Sequence, residues 1–215
     1  MNSRIIKGFF NLGNTEPVIG EPNCSACGLH KKCKSPKMNY TGEGRLNTLL
    51  IAEASGAKED ETGIQLVGES GQIVRETLKK FNIDLDKDLW KVNAVNCRPT
   101  TPEGRNRTPT PKEIEYCRPI SQALIKKLNP QFIILAGGSA IESFYGNRKW
   151  SSFRPYTIGR YRKLCIPDPD TNAWILPIVH PSYFTRNIDA KEIFVNDMRW
   201  LVSCLSFKPP VFDDE

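Results

Sequence analysis

The chemistry in this chain is most visible in its cysteines. There are seven, an odd number. In a reducing compartment an odd count argues against a disulfide framework and for metal ligation by some of them. Cys24-x2-Cys27 comes early, Cys33 follows closely, and Cys97 and Cys117 are separated by nineteen residues. A C-x2-C pair plus two later cysteines supplies four thiolates, enough for a tetrahedral zinc or a [4Fe–4S] cluster. The spacing does not choose between the two metals, and Cys33 can compete for a place in the quartet. The plainer reading is that of buried core thiols, and it suits Cys165 and Cys204, which sit beside apolar stretches.

A second set of residues is polar and lies at the ends of apolar runs. Asn47–Ala54 and Leu89–Asn96 read as strands. Phe132–Leu135 runs through Ala136-Gly137-Gly138 into a helix, and Ala173–Val179 is a further strand. Glu53, Asn93, Gly137 and His180 fall at the carboxyl ends of these runs. Helical spacing covers Gly71–Phe81, Pro111–Leu128 and Ile193–Leu205. Strands alternating with helices predict a parallel sheet covered on both faces, and ligands gather beyond its carboxyl ends. Taken singly, Asn93 reads as a strand-end cap, Glu59-Asp60 as a solvated turn and His180-Pro181 as a turn histidine. Together on one rim they read as a site.

Three blocks join these residues into one pattern. They are Glu53-Ala54-Ser55-Gly56-x2-Glu59-Asp60-x2-Gly63-x3-Val67-Gly68-x2-Gly71, then Asn93-x3-Cys97-Arg98-Pro99, then His180-Pro181-Ser182-Tyr183. With the four cysteines, this order resembles the family 4 uracil-DNA glycosylases, which carry a [4Fe–4S] cluster. The resemblance runs from about Cys24 to Leu205. It implies a three-layer α/β/α sandwich, expected here around a four-stranded parallel sheet. It implies a cluster on Cys24, Cys27, Cys97 and Cys117, with zinc the alternative, and DNA containing uracil as substrate. It gives Glu53 and Glu59 places on the sugar side and leaves Ala54 where other families carry a water-activating carboxylate. Gly56 lets the backbone approach closely.

The residue types fit that chemistry. A glycosylase reads an extruded base by its Watson–Crick edge. The Asn93 amide can accept from uracil N3–H and donate to O4. A histidine donor, His180, can stabilise the departing anion. Tyr183 or Phe184 is a candidate wedge, and Arg186 and Arg98 are candidate DNA contacts. Two departures from the family stand out. Ser55 replaces the usual proline, and Leu66 replaces a phenylalanine that stacks on uracil, a contact worth about 1–3 kcal/mol per base in single-strand binders. The loop between Cys97 and Cys117 is also a few residues longer than is usual. Two other readings follow from the departures: a non-catalytic DNA- or partner-binding member, and a glycosylase for a different pyrimidine.

Composition bounds the rest. At 215 residues, a single domain over 1–215 is expected, with a cysteine-bearing arm over about 1–45 docked through the cluster. A monomer is the expectation. The net charge of +6 suits a polyanionic partner. It concentrates in Arg98, Arg105, Arg107 and Lys112, and again in Arg148, Lys149, Arg154, Arg160, Arg162 and Lys163; both stretches could track phosphates. No apolar run reaches the length of a membrane span. Met1–Leu12 lacks the long apolar core of a secretory signal, so a cytoplasmic location is expected, or a nuclear one in a cell with a nucleus.

Overall fold

Runs of aliphatic residues with no polar alternation form strands buried on both faces. The computed structural model describes residues 21–146, 158–185 and 191–206. It builds β1 from Thr48–Ala54, β2 from Leu89–Val95, β3 from Phe132–Ala136, β4 from Ile166–Asp168 and β5 from Ala173–Ile178. The sheet order is β2-β1-β3-β5-β4. Strands β1, β2, β3 and β5 are parallel neighbours, as expected. The expected four strands become five, because β4 adds an antiparallel edge against β5. This edge is three residues long and contains Pro167. So short a run carries no periodic signal, and proline is tolerated there because it sits at an edge.

Alternate residues of each strand feed opposite layers. Leu50, Ala52, Ile134 and Leu176 face one side, against Val74 and Leu78 of α3 (Glu69–Lys79) and Phe194, Met198 and Leu201 of α8 (Lys191–Cys204). Leu49, Ile51, Ile133 and Ile175 face the other, against Leu124 and Ile125 of α4 (Pro111–Leu128) and Ile141 and Phe144 of α5 (Gly138–Tyr145). These are the three layers expected. A third, smaller cluster joins Leu29, Val95, Cys97 and Ile114 near the short helix α1 (Cys24–Cys27). Helix α4 starts sharply. Thr110 and Glu113 form a reciprocal capping box, and Arg107 pairs with both carboxylate oxygens of Glu113 at 2.8 and 2.6 Å. Among the described residues, no helix is long and apolar enough to cross a membrane.

Strand β2 would be an open edge, but residue 41 covers it through an antiparallel bridge to Lys91. Lys91 is only 1% exposed, and its ammonium meets the Asp86 carboxylate, which also binds Arg75. Burial raises the Asp86 pKa, but hydrogen bonds from Arg75 and Lys91 outweigh it and leave the group below the usual carboxylate value. Asp86→Asn would strand a buried ammonium. Removing one partner of a buried pair costs 3–5 kcal/mol; Asp86 is half exposed, so the expected loss is roughly 2 kcal/mol, read by urea unfolding at neutral pH. Because the folded pKa is depressed, this stabilisation is complete above the unfolded value and fades as pH falls through the folded one. An acid titration of wild type and variant should therefore converge at low pH.

Candidate active site

Parallel pairing sets the rim. Register places Asn93 level with Ala52, one residue before Glu53, and Ala136 level with Ile178, two residues before His180. Glu53 is half-buried, and Ser139 Oγ donates to its Oε2 at 3.1 Å. Ser139 lies in the first turn of α5 and is a residue the sequence did not single out. His180 is also half-buried. Its Nδ1 accepts from the Ser182 backbone N–H at 3.2 Å and lies 2.7 Å from Ser182 Oγ. A ring nitrogen that accepts from a backbone N–H has no proton, so the neutral ring carries its proton on Nε2.

Asn93 is 2% exposed. The expectation gave its Nδ2 hydrogens to uracil O4. Here they donate to Ser55 Oγ at 3.2 Å and to Gln65 Oε1. Glu59 is 8% exposed. Its Oε1 accepts from Gly68 N–H at 2.6 Å, and a Cβ on Gly56 would lie 2.7 Å from Oε2. The carboxylate thus anchors the Gly68 turn and packs beside Gly56. Leu66 is buried with φ of 55°, in the left-handed region that costs a non-glycine residue about 1 kcal/mol or more. Its carbonyl oxygen would lie 2.0 Å from any Cβ on Gly71, which requires glycine there. Ala54 packs instead against the small cluster of Leu29, Val95, Cys97 and Ile114.

The four cysteines come together. Cys24, Cys27, Cys97 and Cys117 line one partly open pocket, beside His30, Asn96 and Tyr116. Backbone N–H groups donate to two of the sulfurs, Lys37 to Cys97 at 3.3 Å and Asn96 to Cys117 at 3.4 Å. All seven cysteines are free thiols. Among the described residues, no three cysteine, histidine or acidic side chains converge tightly enough for one metal ion. A single zinc, at a Zn–S distance near 2.3 Å, would draw its sulfurs within about 4 Å of one another. Burial pushes the Cys97 thiol up to about 12 and Cys117 up to about 11, so loading a metal must displace protons. Cys33 does not line the cavity; its Sγ accepts from Arg98 N–H at 3.2 Å and donates to Leu29 O.

The candidate DNA contacts divide. Tyr183 is 55% exposed, with Phe184 buried beside it against Phe194. Arg98 is engaged within its own loop, donating to Asn106 Oδ1 at 2.7 Å and Gly104 O at 3.1 Å. Arg107 is tied to Glu113, and Arg162 to Asp197 with Nε 2.8 Å from both oxygens. Arg186, Arg148, Lys149 and Arg154 lie outside the described residues.

A parallel α/β sheet with an asparagine, a glutamate and a histidine on one rim and a thiol quartet behind it finds its counterpart in one family model. The uracil DNA glycosylase superfamily matches residues 38–201, and the chain belongs to that superfamily. Its relatives narrow the branch to type 4. A type-4 uracil-DNA glycosylase of Thermotoga maritima is 35% identical over 170 residues, 76% of this chain and 79% of the relative. Another, of Pyrobaculum aerophilum, is 38% identical over 115 residues, covering 54% and 56%. That of Archaeoglobus fulgidus is 24% identical but spans 89% and 93%.

Gly137 decides where His180 stands. Its φ is 89°, and an added Cβ would lie 2.8 Å from His180 Cβ. Gly137→Ala should lower stability by about 1–3 kcal/mol and displace the imidazole. Thermal unfolding and the His180 ring signals in NMR check this; unchanged ring signals would contradict the close packing.

Proposed function

We propose that this protein removes uracil from DNA by hydrolysing the N-glycosidic bond between base and deoxyribose. One observation carries the reading: the Ser182 backbone N–H donates to His180 Nδ1, which makes Nε2 the ring's donor, at the same rim as the Asn93 amide. The target nucleotide must leave the stack to reach such a rim. Asn93 then reads the base edge. Bond cleavage leaves negative charge on the uracil ring and positive character on the sugar. His180 Nε2–H meets the charge that develops on the base. A preorganised donor of this kind lowers the barrier because it binds the transition state better than the ground state. Glu53, held by Ser139, faces the cationic sugar. Glu59 serves the site by anchoring Gly68 and packing beside Gly56. Tyr183 is the exposed aromatic available as a wedge, and Arg186 and Arg98 are assigned to the phosphates.

Cys24, Cys27, Cys97 and Cys117 are assigned as holders of a [4Fe–4S] cluster. When bound, the cluster acts as a staple between the cysteine-bearing arm and the body of the single domain. The four thiols and the N–H donors to their sulfurs are the donor set such a cluster takes.

Two measurements test these assignments. His180→Ala should reduce single-turnover uracil release by on the order of 100-fold, with much smaller change in affinity for uracil-containing DNA. An active wild type whose rate survives the substitution would overturn the anion-stabilising role. A wild type that releases no uracil, even with Leu66→Phe, would instead favour the non-catalytic or altered-base reading. Anaerobically purified protein should carry about four irons per chain, and Cys27→Ala should lose iron and melt earlier. Stoichiometric zinc without iron would refute the cluster.

A further inference from the structure

Gln65 is 1% exposed and its Nε2 donates to the Asn39 backbone carbonyl at 3.3 Å. A carbonyl only accepts, so this contact fixes which end of the Gln65 amide is nitrogen. Its Oε1 therefore faces Asn93 and takes one Nδ2 hydrogen. Ser55 Oγ directs its own hydrogen toward Met38 Sδ at 3.8 Å, and so accepts the second Nδ2 hydrogen. Both hydrogens of the Asn93 amide are committed. The polar atom that remains is Oδ1, for which no hydrogen bond is present among the described residues.

We propose that Gln65 and Ser55 are positioning residues that lock the Asn93 amide with its carbonyl toward the base, so that the pocket reads pyrimidines by an acceptor at ring position 3. The proposal rests on the uracil-glycosylase reading and adds the basis of its selectivity. Uracil brings an N3–H to that acceptor. Cytosine brings a lone pair, which the carbonyl repels. The lock also gives a purpose to the Ser55 hydroxyl, which accepts from Asn93. With either acceptor removed, the amide can turn over, and a turned Nδ2 can donate to cytosine N3.

The lock is tested without substrate by side-chain amide hydrogen exchange in the free wild-type protein. The Asn93 NH2 hydrogens should exchange far more slowly than those of an exposed asparagine, and Gln65→Met should accelerate them. Exchange at the exposed rate in wild type overturns the lock. With substrate, Gln65→Met should slow single-turnover uracil excision about tenfold and lower the uracil-to-cytosine preference by a similar factor, the value of one hydrogen bond of about 1.4 kcal/mol. Ser55→Ala should shift both in the same direction by less, and serves if Gln65→Met fails to fold. A well-folded variant of either kind with the wild-type base preference would sink the proposal, because a merely structural role would change melting temperature and not preference. A wild type that excises no uracil would defeat the underlying glycosylase reading, while the exchange rates alone would still decide the lock.

Discussion

Asn96 joins the thiol quartet to the backbone of Asn93, the residue proposed to read the base. It is 1% exposed, and each of its polar groups has a partner. Its backbone N–H and side-chain Nδ2 point at Cys117 Sγ, at 3.4 and 3.9 Å. Its Oδ1 accepts from Asn93 N–H at 3.3 Å, and its carbonyl accepts from Met38 N–H at 2.8 Å. The segment Lys37–Asn39 repeats the connection. Lys37 N–H reaches Cys97, Met38 sulfur takes the Ser55 hydroxyl, and the Asn39 carbonyl takes Gln65. A buried polar chain of this kind rigidifies only when every member is satisfied. The arm that carries Cys24 and Cys27 is thus one end of a hydrogen-bonded frame, and Asn93 is the other.

How much of this was legible in the sequence follows from the range of each interaction. Strands β1, β3 and β5 announce themselves because burial on both faces demands nearly unbroken apolar runs, whereas β2 carries Lys91 and Asn93 within its run. The thiol quartet is visible because a C-x2-C pair with two later cysteines is a restricted pattern of residue type and spacing. Asn93, Glu53 and His180 are visible because a strand's carboxyl end is a fixed place in this architecture. Gln65 and Ser55 were not legible as partners of Asn93. Their contact depends on a register between β1 and β2 and on the path of a loop, and neither leaves a local mark. Ser139 and Ser182 are of the same kind, although a serine two residues beyond a histidine is a recognisable tautomer-setting arrangement once looked for.

Charge was the least readable quantity. Arg98, Arg107 and Arg162 read as phosphate-tracking residues when seen as a basic run. In the fold Arg107 and Arg162 are paired with Glu113 and Asp197, while Arg98 donates to neutral groups of its own exposed loop. A sequence shows the sign of a charge but not its distance from the opposite sign, and at these separations the internal pair wins. Phe184 belongs to the same lesson. Beside an exposed Tyr183 it could serve as a wedge, yet it is buried against Phe194. Position within one turn of helix separates a surface residue from a core one.

The site's carboxylates also divide by surroundings and not by type. Glu59 is nearly buried, and its two oxygens lie against Gly68 and Gly56. A Cβ at Gly56 would push that carboxylate aside, and without the carboxylate the Gly68 N–H would lose its partner. Between those two glycines the chain passes through Leu66 in a left-handed conformation and turns back at Gly71. Strain of this sort persists only where neighbours over-determine it. Here they do: Glu59 holds Gly68 and Gln65 anchors to Asn39. The turn that presents Leu66 is therefore set by the same frame that orients Asn93. Glu53 is held differently: the Ser139 hydroxyl donates to its Oε2 at 3.1 Å and orients the carboxylate. That difference suits one glutamate to holding the pocket's shape and the other to facing positive charge.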